Sequence, residues 1–272
     1  MSNAPANDAP KRDRRSVTTL SVLRTERVTP HMIRVVAGGP GLADFVPNDQ
    51  TDAYVKVLFP IPGVEYPTPL DMQAVRRDFP RDQWPVVRTY TVRYFDAAAQ
   101  ELAIDFVHHG DVGIAGPWAA SVQPGATFSL LGPGGGYAPS AAAGWHLLIG
   151  DEAALPAIGA ALERLPAGAR ARVVVEVDGV DEEQKFETAG IVELVWVHRD
   201  SGGSLVDVVR GMEFSGEDVQ AFVHGEAAMV KELRGVMAER GVTKDRLSIS
   251  GYWRRGLSED GFREVKAAES GG

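Results

Sequence analysis

Residues 145–166 run WHLLIGDEAALPAIGAALERLP. The first six are almost wholly apolar and stop at Gly150, as a strand buried on both faces does. Glu152–Pro166 then carries a helical pattern. Pro156 falls in its first turn, where a missing N–H is tolerated. Asp151 and Glu152 stand where that helix starts, a place whose dipole favours carboxylates. A buried strand followed directly by a helix predicts a parallel sheet covered on both sides, and the rest of the C-terminal half repeats the pattern.

Segments 171–178 (ARVVVEVD) and 192–199 (VELVWVHR) read as strands, and 203–212 (GSLVDVVRGM) as a helix. Segment 218–225 (DVQAFVHG) is a strand. Segment 226–241 (EAAMVKELRGVMAERG) is an amphipathic helix closed by Gly241, and 245–253 (DRLSISGYW) is a last strand. The expectation is a doubly wound parallel-sheet nucleotide-binding domain over 145–262.

Upstream the period changes. Segments 16–28, 31–39, 52–60, 86–95, 101–110 and 126–132 are short, rich in β-branched residues and separated by turn signals. Such a series predicts an N-terminal antiparallel six-stranded β-barrel over 17–136, hence a β + α/β two-domain chain. Residues 60–85 hold six prolines and read as an insertion loop rather than an element. The Gly/Pro/Ala stretch closing at 144 marks a linker, placed at 137–144. Residues 1–16 and 263–272 read as frayed tails, with 11–15 (KRDRR) a weak electrostatic tether at most.

Net charge is −9, which argues against a nucleic-acid footprint. The absence of cysteine excludes disulfides, thiolate metal sites and a cysteine nucleophile. No histidine is paired with carboxylates at a metal-ligand spacing, so no metal site is expected. No run approaches the ~20 apolar residues of a membrane helix, and the N-terminus lacks the apolar core of a secretory signal. A cytoplasmic monomer is the expectation.

A barrel followed by a doubly wound domain offers a cleft at the domain junction, where ligands prefer to bind. In 88–93 (RTYTVR), Arg88 and Tyr90 share one face of a strand and Thr91 points to the other. The set suits a flavin, Tyr90 stacking on the ring and Arg88 contacting a pyrophosphate. It also suits a plain surface strand with cross-strand pairs. In 110–120 (GDVGIAGPWAA), Gly113, Gly116 and Pro117 predict a turn. Trp118-Ala119 would open a short helix whose free N–H groups could meet a diphosphate. Segment 132–137 (GPGGGY) misses the dinucleotide fingerprint because Tyr137 occupies its last glycine position.

Six motifs, in this order, carry a resemblance: RTYTVR at 88–93, DFVHHG at 105–110, GPWAA at 116–120, GDEAALPAI at 150–158, GE at 225–226 and SGYWRRG at 250–256. Over roughly Val17 to Phe262 the chain resembles the siderophore-interacting proteins, a branch of the ferredoxin-reductase superfamily. The resemblance implies a non-covalent FAD on the barrel, NADPH or NADH on the second domain, and a ferric siderophore as electron acceptor. It implies that Arg88 binds the FAD pyrophosphate, Tyr90 stacks on the isoalloxazine and Thr91 reaches its N5 edge. Asp105, Val107 and His108 or His109 would lie near the ring and ribityl chain.

The turn at Asp151 and Ala153 would border the nicotinamide, where relatives usually have threonine in place of Ala153. Glu226 faces the same cleft or is only a first-turn helix carboxylate. Arg199 pairs with an adenosine 2′-phosphate or is simply solvated. Tyr252 or Trp253 would cover the flavin face opposite Tyr90, or serve as core aromatics. Lys56, Arg254 and Arg255 would form one basic patch for anionic ferric chelates. No residue is expected to act as a general acid or base, because the flavin carries the chemistry. The other readings are a flavin-dependent reductase of quinones or free flavins, a non-enzymatic ferric-siderophore carrier, and ferredoxin as the donor.

Overall fold

The computed structural model describes residues 16–262 and 265. The two expected tails fall almost wholly outside them, as does the 11–15 tether.

Alternating apolar positions build the first unit. Its strands are β1 (Thr18–Thr29), β2 (Met32–Gly38), β3 (Tyr54–Phe59), β4 (Val86–Asp96), β5 (Glu101–Val107) and β6 (Thr127–Gly134). Among the described residues these close into an antiparallel barrel in the order β1-β2-β5-β4-β3-β6. Leu20, Val22, Val35, Val55, Val57, Ile104, Phe106 and Leu130 fill its interior.

The proline-rich 60–85 segment is not all loop. Met72–Asp78 forms helix α1, with the Asp71 side chain accepting from the N–H groups of Gln73 and Ala74. The prolines flank this turn of helix rather than interrupt it, and an aspartate cap starts it. Met72 and Val75 pack on Leu58, which ties the insertion to β3. Helix α2 (Ala115–Ser121) lies between β5 and β6.

The second unit contains β7 (Trp145–Asp151), α3 (Leu155–Glu163), β8 (Arg170–Val177), β9 (Ile191–His198), α4 (Leu205–Gly211), β10 (Val219–Glu226), α5 (Ala227–Glu239) and β11 (Leu247–Trp253). All strand pairs are parallel, in the order β11-β10-β7-β8-β9. Helix α3 covers one face over Leu148, Val173, Val175 and Phe222. Helices α4 and α5 cover the other, over Leu147, Ile149, Val174 and Val223. The chain runs outward from β7 through β8 to β9, then returns to β10 on the far side of β7. The crevice of such a sheet therefore opens at the carboxyl ends of β7 and β10.

The expected linker is fastened at its first residue. Tyr137 is buried 4.9 Å from the ring of Phe222, its N–H donates to Asp52 at 2.8 Å, and its carbonyl accepts from Thr51. Two further anchors join the units. Arg93 on β4 forms a double ion pair with Glu163 on α3. Glu182, from the β8–β9 connection, accepts from the Thr29 hydroxyl at 2.5 Å and meets the ring and N–H of His31.

Candidate active site at the barrel rim and strand ends

The β3–β4 register sets the rim. Val57 faces Arg88, Val55 faces Tyr90, Lys56 faces Thr89 and Tyr54 faces Thr91. Val55 and Val57 point into the barrel, so Arg88 and Tyr90 share the inward side, while buried Thr91 is on the other. The Tyr90 ring rests on Phe106 with centroids 4.3 Å apart, and burial pushes its phenol pKa above the usual value. Arg88 lies at the strand's start, paired with Asp260 at 3.1 Å and Glu259 at 3.5 Å. The Thr89 N–H donates to Glu259 at 3.2 Å. Two carboxylates thus stand on a fork of guanidinium and backbone donors. Their oxygens occupy this donor set as diphosphate oxygens do, so the residues present fit the phosphates of FAD.

The other half of the rim is the end of β5 and the start of α2. A Cβ on Gly116 would come within 3.0 Å of the Val107 carbonyl and 3.3 Å of His108 Cα, so this residue lets the helix start lie against the strand end. Helix α2 begins three residues before Trp118, and Gly116 and Pro117 are inside it rather than in a preceding turn. This corrects the expected donors. The Trp118 N–H is used by the Ile114 carbonyl at 3.1 Å, and Ala119 is a buried core residue. First-turn N–H groups, those of Ala115 and Gly116, are the ones a helix leaves open. The Trp118 indole instead plugs the barrel, edge-on to Phe59, Phe106 and Phe128.

Asp105 serves the domain seam. Its carboxylate takes a bidentate pair from Arg34, at 2.7 and 2.8 Å, and lies 4.0 Å from Arg93. The His108 N–H donates to the His31 carbonyl, and the His109 ring stands 5.7 Å from that of His31, beside the Glu182 anchor.

Across the seam, Asp151 is not a helix-start residue. Helix α3 opens four residues later, at Leu155. The carboxylate turns inward and ties three strand ends together. Oδ1 accepts from the Ala153 N–H at 2.9 Å, and Oδ2 accepts from the Glu226 N–H and the Trp253 indole, both at 2.8 Å. Burial, and then neighbouring Glu152, push its pKa up to about 6. Gly225 explains the GE pair: its φ is +142°, and a Cβ there would lie 2.7 Å from the Asp151 carboxyl carbon. Glu226 is the N-cap of α5, accepting from the Ala228 and Met229 N–H groups. Tyr252 turns into the face beneath α3, its ring 4.9 Å from His224, and burial raises its phenol pKa.

Arg199 is neither free nor merely solvated. It forms a double ion pair with Glu152 and reaches Glu176 at 3.3 Å. Together with Gly202, Gly203, Ser204 and Arg255 it borders a hollow of about 350 Å3. A second hollow, about 220 Å3, lies on the barrel between α1, β3 and β6, bordered by Tyr54, Lys56, Gln73 and Arg76. Lys56 and Arg255 therefore line different hollows, not one patch, and Arg76 is the cation found beside Lys56. Sequence reasoning gave no role to Arg76, Arg93, Glu176 or Glu182, and it placed Gly225 at a strand end without showing that its φ and the nearby Asp151 carboxylate require a glycine.

Residues 21–137 match the family model described as the siderophore-interacting FAD-binding domain, and residues 143–256 match that described as siderophore-interacting protein. Ferric vibriobactin reductase ViuB of Vibrio cholerae is 32% identical over 259 residues, covering 91% of this chain and 93% of its own. The NADPH-dependent ferric-chelate reductase of Escherichia coli is 29% identical over 93% of this chain and 99% of its own. The crystal structure of the siderophore-interacting protein SipS from Aeromonas hydrophila superposes with a TM-score of 0.80 at 28% identity, covering 96% of this chain and all of that one.

Proposed function

Because this chain belongs to the siderophore-interacting protein family, we propose that it is an FAD-dependent reductase that passes electrons from NADPH or NADH to ferric siderophores. The observation that carries this reading is the rim of the barrel. Arg88 and the Thr89 N–H already hold two anionic groups there. The relatives named as ferric-chelate and ferric vibriobactin reductases support the acceptor class.

In this reading Arg88, the Thr89 N–H and the open N–H groups of Ala115 and Gly116 hold the FAD diphosphate. Bound there, FAD would supply the means to take two electrons from a nicotinamide and release them singly. The chain's own residues position and shield. Tyr90, braced on Phe106, gives the rim an aromatic surface. Asp151 fixes the Trp253 indole at the strand ends, so that its ring keeps one orientation over the crevice. The α1–β3–β6 hollow, with Lys56 and Arg76, attracts an anionic ferric chelate toward the barrel in spite of the chain's net negative charge. One nicotinamide provides two electrons, enough for two Fe(III) ions. Hard Fe(III) prefers oxygen donors, and reduction to Fe(II) loosens the chelate.

The reading places the protein in the cytoplasm as a monomer; no helix among the described residues is long and apolar enough to cross a membrane. The test is an anaerobic absorbance titration of the flavin-loaded protein. NADPH or NADH should bleach the flavin, and a ferric siderophore, but not a quinone, should restore the colour. A colourless chain that takes up no FAD would refute the reading. A flavin that neither nicotinamide reduces would move the donor role to ferredoxin.

A further inference from the structure

The hollow at the outer strand ends carries chemistry that the reductase reading leaves unused. We propose that it receives the adenosine ribose of the electron donor and selects an unphosphorylated 2′-hydroxyl, so that NADH is preferred to NADPH. The inference rests on the donor reading above and sharpens it.

Glu176 stands next to last in β8, the strand beside β7 on the outward side of the sheet. An acidic residue at the end of this strand is where a doubly wound fold hydrogen-bonds a ribose 2′-hydroxyl. One Glu176 oxygen accepts from the Leu205 N–H at 3.2 Å, which aims the carboxylate at the turn before α4. The other meets Arg199 at 3.3 Å. Gly202, Gly203 and Ser204 form the opposite wall, and a Cβ on Gly203 would lie 2.7 Å from the His198 carbonyl. The wall is therefore backbone, held close to the floor. At about 350 Å3, the hollow is within the range of small-ligand sites.

The charge pattern decides between the two dinucleotides. Arg199 is the cation a 2′-phosphate needs, but it is already committed to Glu152 and Glu176. The three side chains together carry one net negative charge, and exposed Arg255 at the rim brings the set only to neutrality. A 2′-phosphate carries nearly two negative charges at neutral pH. To take Arg199 it must leave buried Glu152 and partly buried Glu176, which lines the hollow, without their counter-ion, which is the costly way to break a buried ion pair. A ribose hydroxyl donates to Glu176 without disturbing either pair. The Escherichia coli relative is named for NADPH, so the two proteins would differ in donor.

The test is calorimetric binding to the full chain, which needs no turnover. The probes are ADP and 2′,5′-ADP, followed by NADH and NADPH. ADP and NADH should each bind about tenfold or more tightly than their 2′-phosphorylated counterparts. Glu176→Gln retains an acceptor for the Leu205 N–H. It should weaken ADP binding about tenfold, the loss of a charge-assisted bond to the ribose, and narrow the preference. Glu152→Gln should free Arg199 and improve 2′,5′-ADP binding while leaving Glu176 in place. Equal or tighter binding of 2′,5′-ADP and NADPH by the wild-type chain would overturn this inference and leave the reductase reading intact. So would a preference unchanged in both variants. If none of the four nucleotides binds, the inference and the nicotinamide-donor reading fall together.

Discussion

Replacing Asp151 with asparagine separates a buried charge from the hydrogen bonds it makes. The folded carboxyl holds its proton up to about pH 6, against an ordinary value of 3.8. Between those two pH values the folded state binds more protons than the unfolded one. Stability from this group is thus fully present below about pH 4 and is lost as pH rises through about 6. At about 1.4 kcal/mol per pH unit, the ionised, buried Asp151 costs the fold about 3 kcal/mol at neutral pH. Between about pH 4.5 and about pH 7.5 the change is about 2 kcal/mol. Asparagine keeps an acceptor for the Glu226 and Trp253 donors but sets an amide against the Ala153 N–H. That mismatch costs about 1–3 kcal/mol at every pH. Asp151→Asn should therefore be destabilising near pH 4.5 and close to neutral, or stabilising, near pH 7.5. Urea unfolding of flavin-free wild-type and variant chains at the two pH values measures this, and the difference between variants cancels all other carboxylates. A variant-minus-wild-type difference equal at both pH values would refute the claim that Asp151 is held with a raised pKa.

Gly225→Ala should lower stability by about 1–3 kcal/mol, because alanine at this φ is strained and its Cβ would strike the Asp151 carboxylate. Trp253 fluorescence should shift as the indole bond loosens, and an unchanged melting curve would count against the contact. Replacing Lys56 and Arg76 together with glutamine should slow reduction of an anionic ferric chelate about tenfold at low salt. The defect should shrink near 0.1 M salt, where the screening length is about 10 Å; a defect equal at both salt concentrations would mean that the pair does not act by attraction.

The fold was legible where apolar periodicity governs. The strand runs at 145–151 and 219–226 are buried along nearly their whole length, and β1 alternates between buried and open positions over its first half. The Arg88–Tyr90 face relation followed from the pleat alone. Helix α1 was missed because proline density dominated the reading, although Asp71 offers an ordinary cap. The roles of Asp151 and Arg199 were not legible for a different reason. Their partners are distant in sequence: Trp253 for the aspartate, and Glu152 and Glu176 for the arginine. A carboxylate next to a helix, or an arginine at a strand end, gives no local sign of which distant group will meet it. Trp118 failed by one turn: the helix was foreseen, but it begins earlier, so the open donors move to Ala115 and Gly116.

The seam between the units explains why the site needs both. Electron transfer from a nicotinamide to a flavin requires the reacting atoms held at near contact, and an error of about 1 Å is costly. In the proposed reading the barrel supplies Arg88 and Tyr90 and the sheet supplies Asp151 and Trp253, so their relative placement depends on the fastening. Among the described residues several contacts contribute to it, including Asp52 to Tyr137 at the connection, Arg93 to Glu163 at the end of α3, and Glu182 to Thr29 and His31 at the β1–β2 turn. Exposed ion pairs would fasten poorly, since each is worth little in water. Here the inner group of each charged anchor is buried, Arg93 at 8% exposure and Glu182 at 6%, and removing its outer partner leaves that group short of hydrogen bonds where water does not reach, with Asp105 at 4.0 Å the one carboxylate left to Arg93. The cost of separation is thus large even if the net gain from forming each pair is small. That asymmetry suits a joint whose task is to hold an angle. The joint also gives Asp105 a structural part, since its carboxylate takes two hydrogen bonds from Arg34 and lies 4.0 Å from Arg93 at the seam.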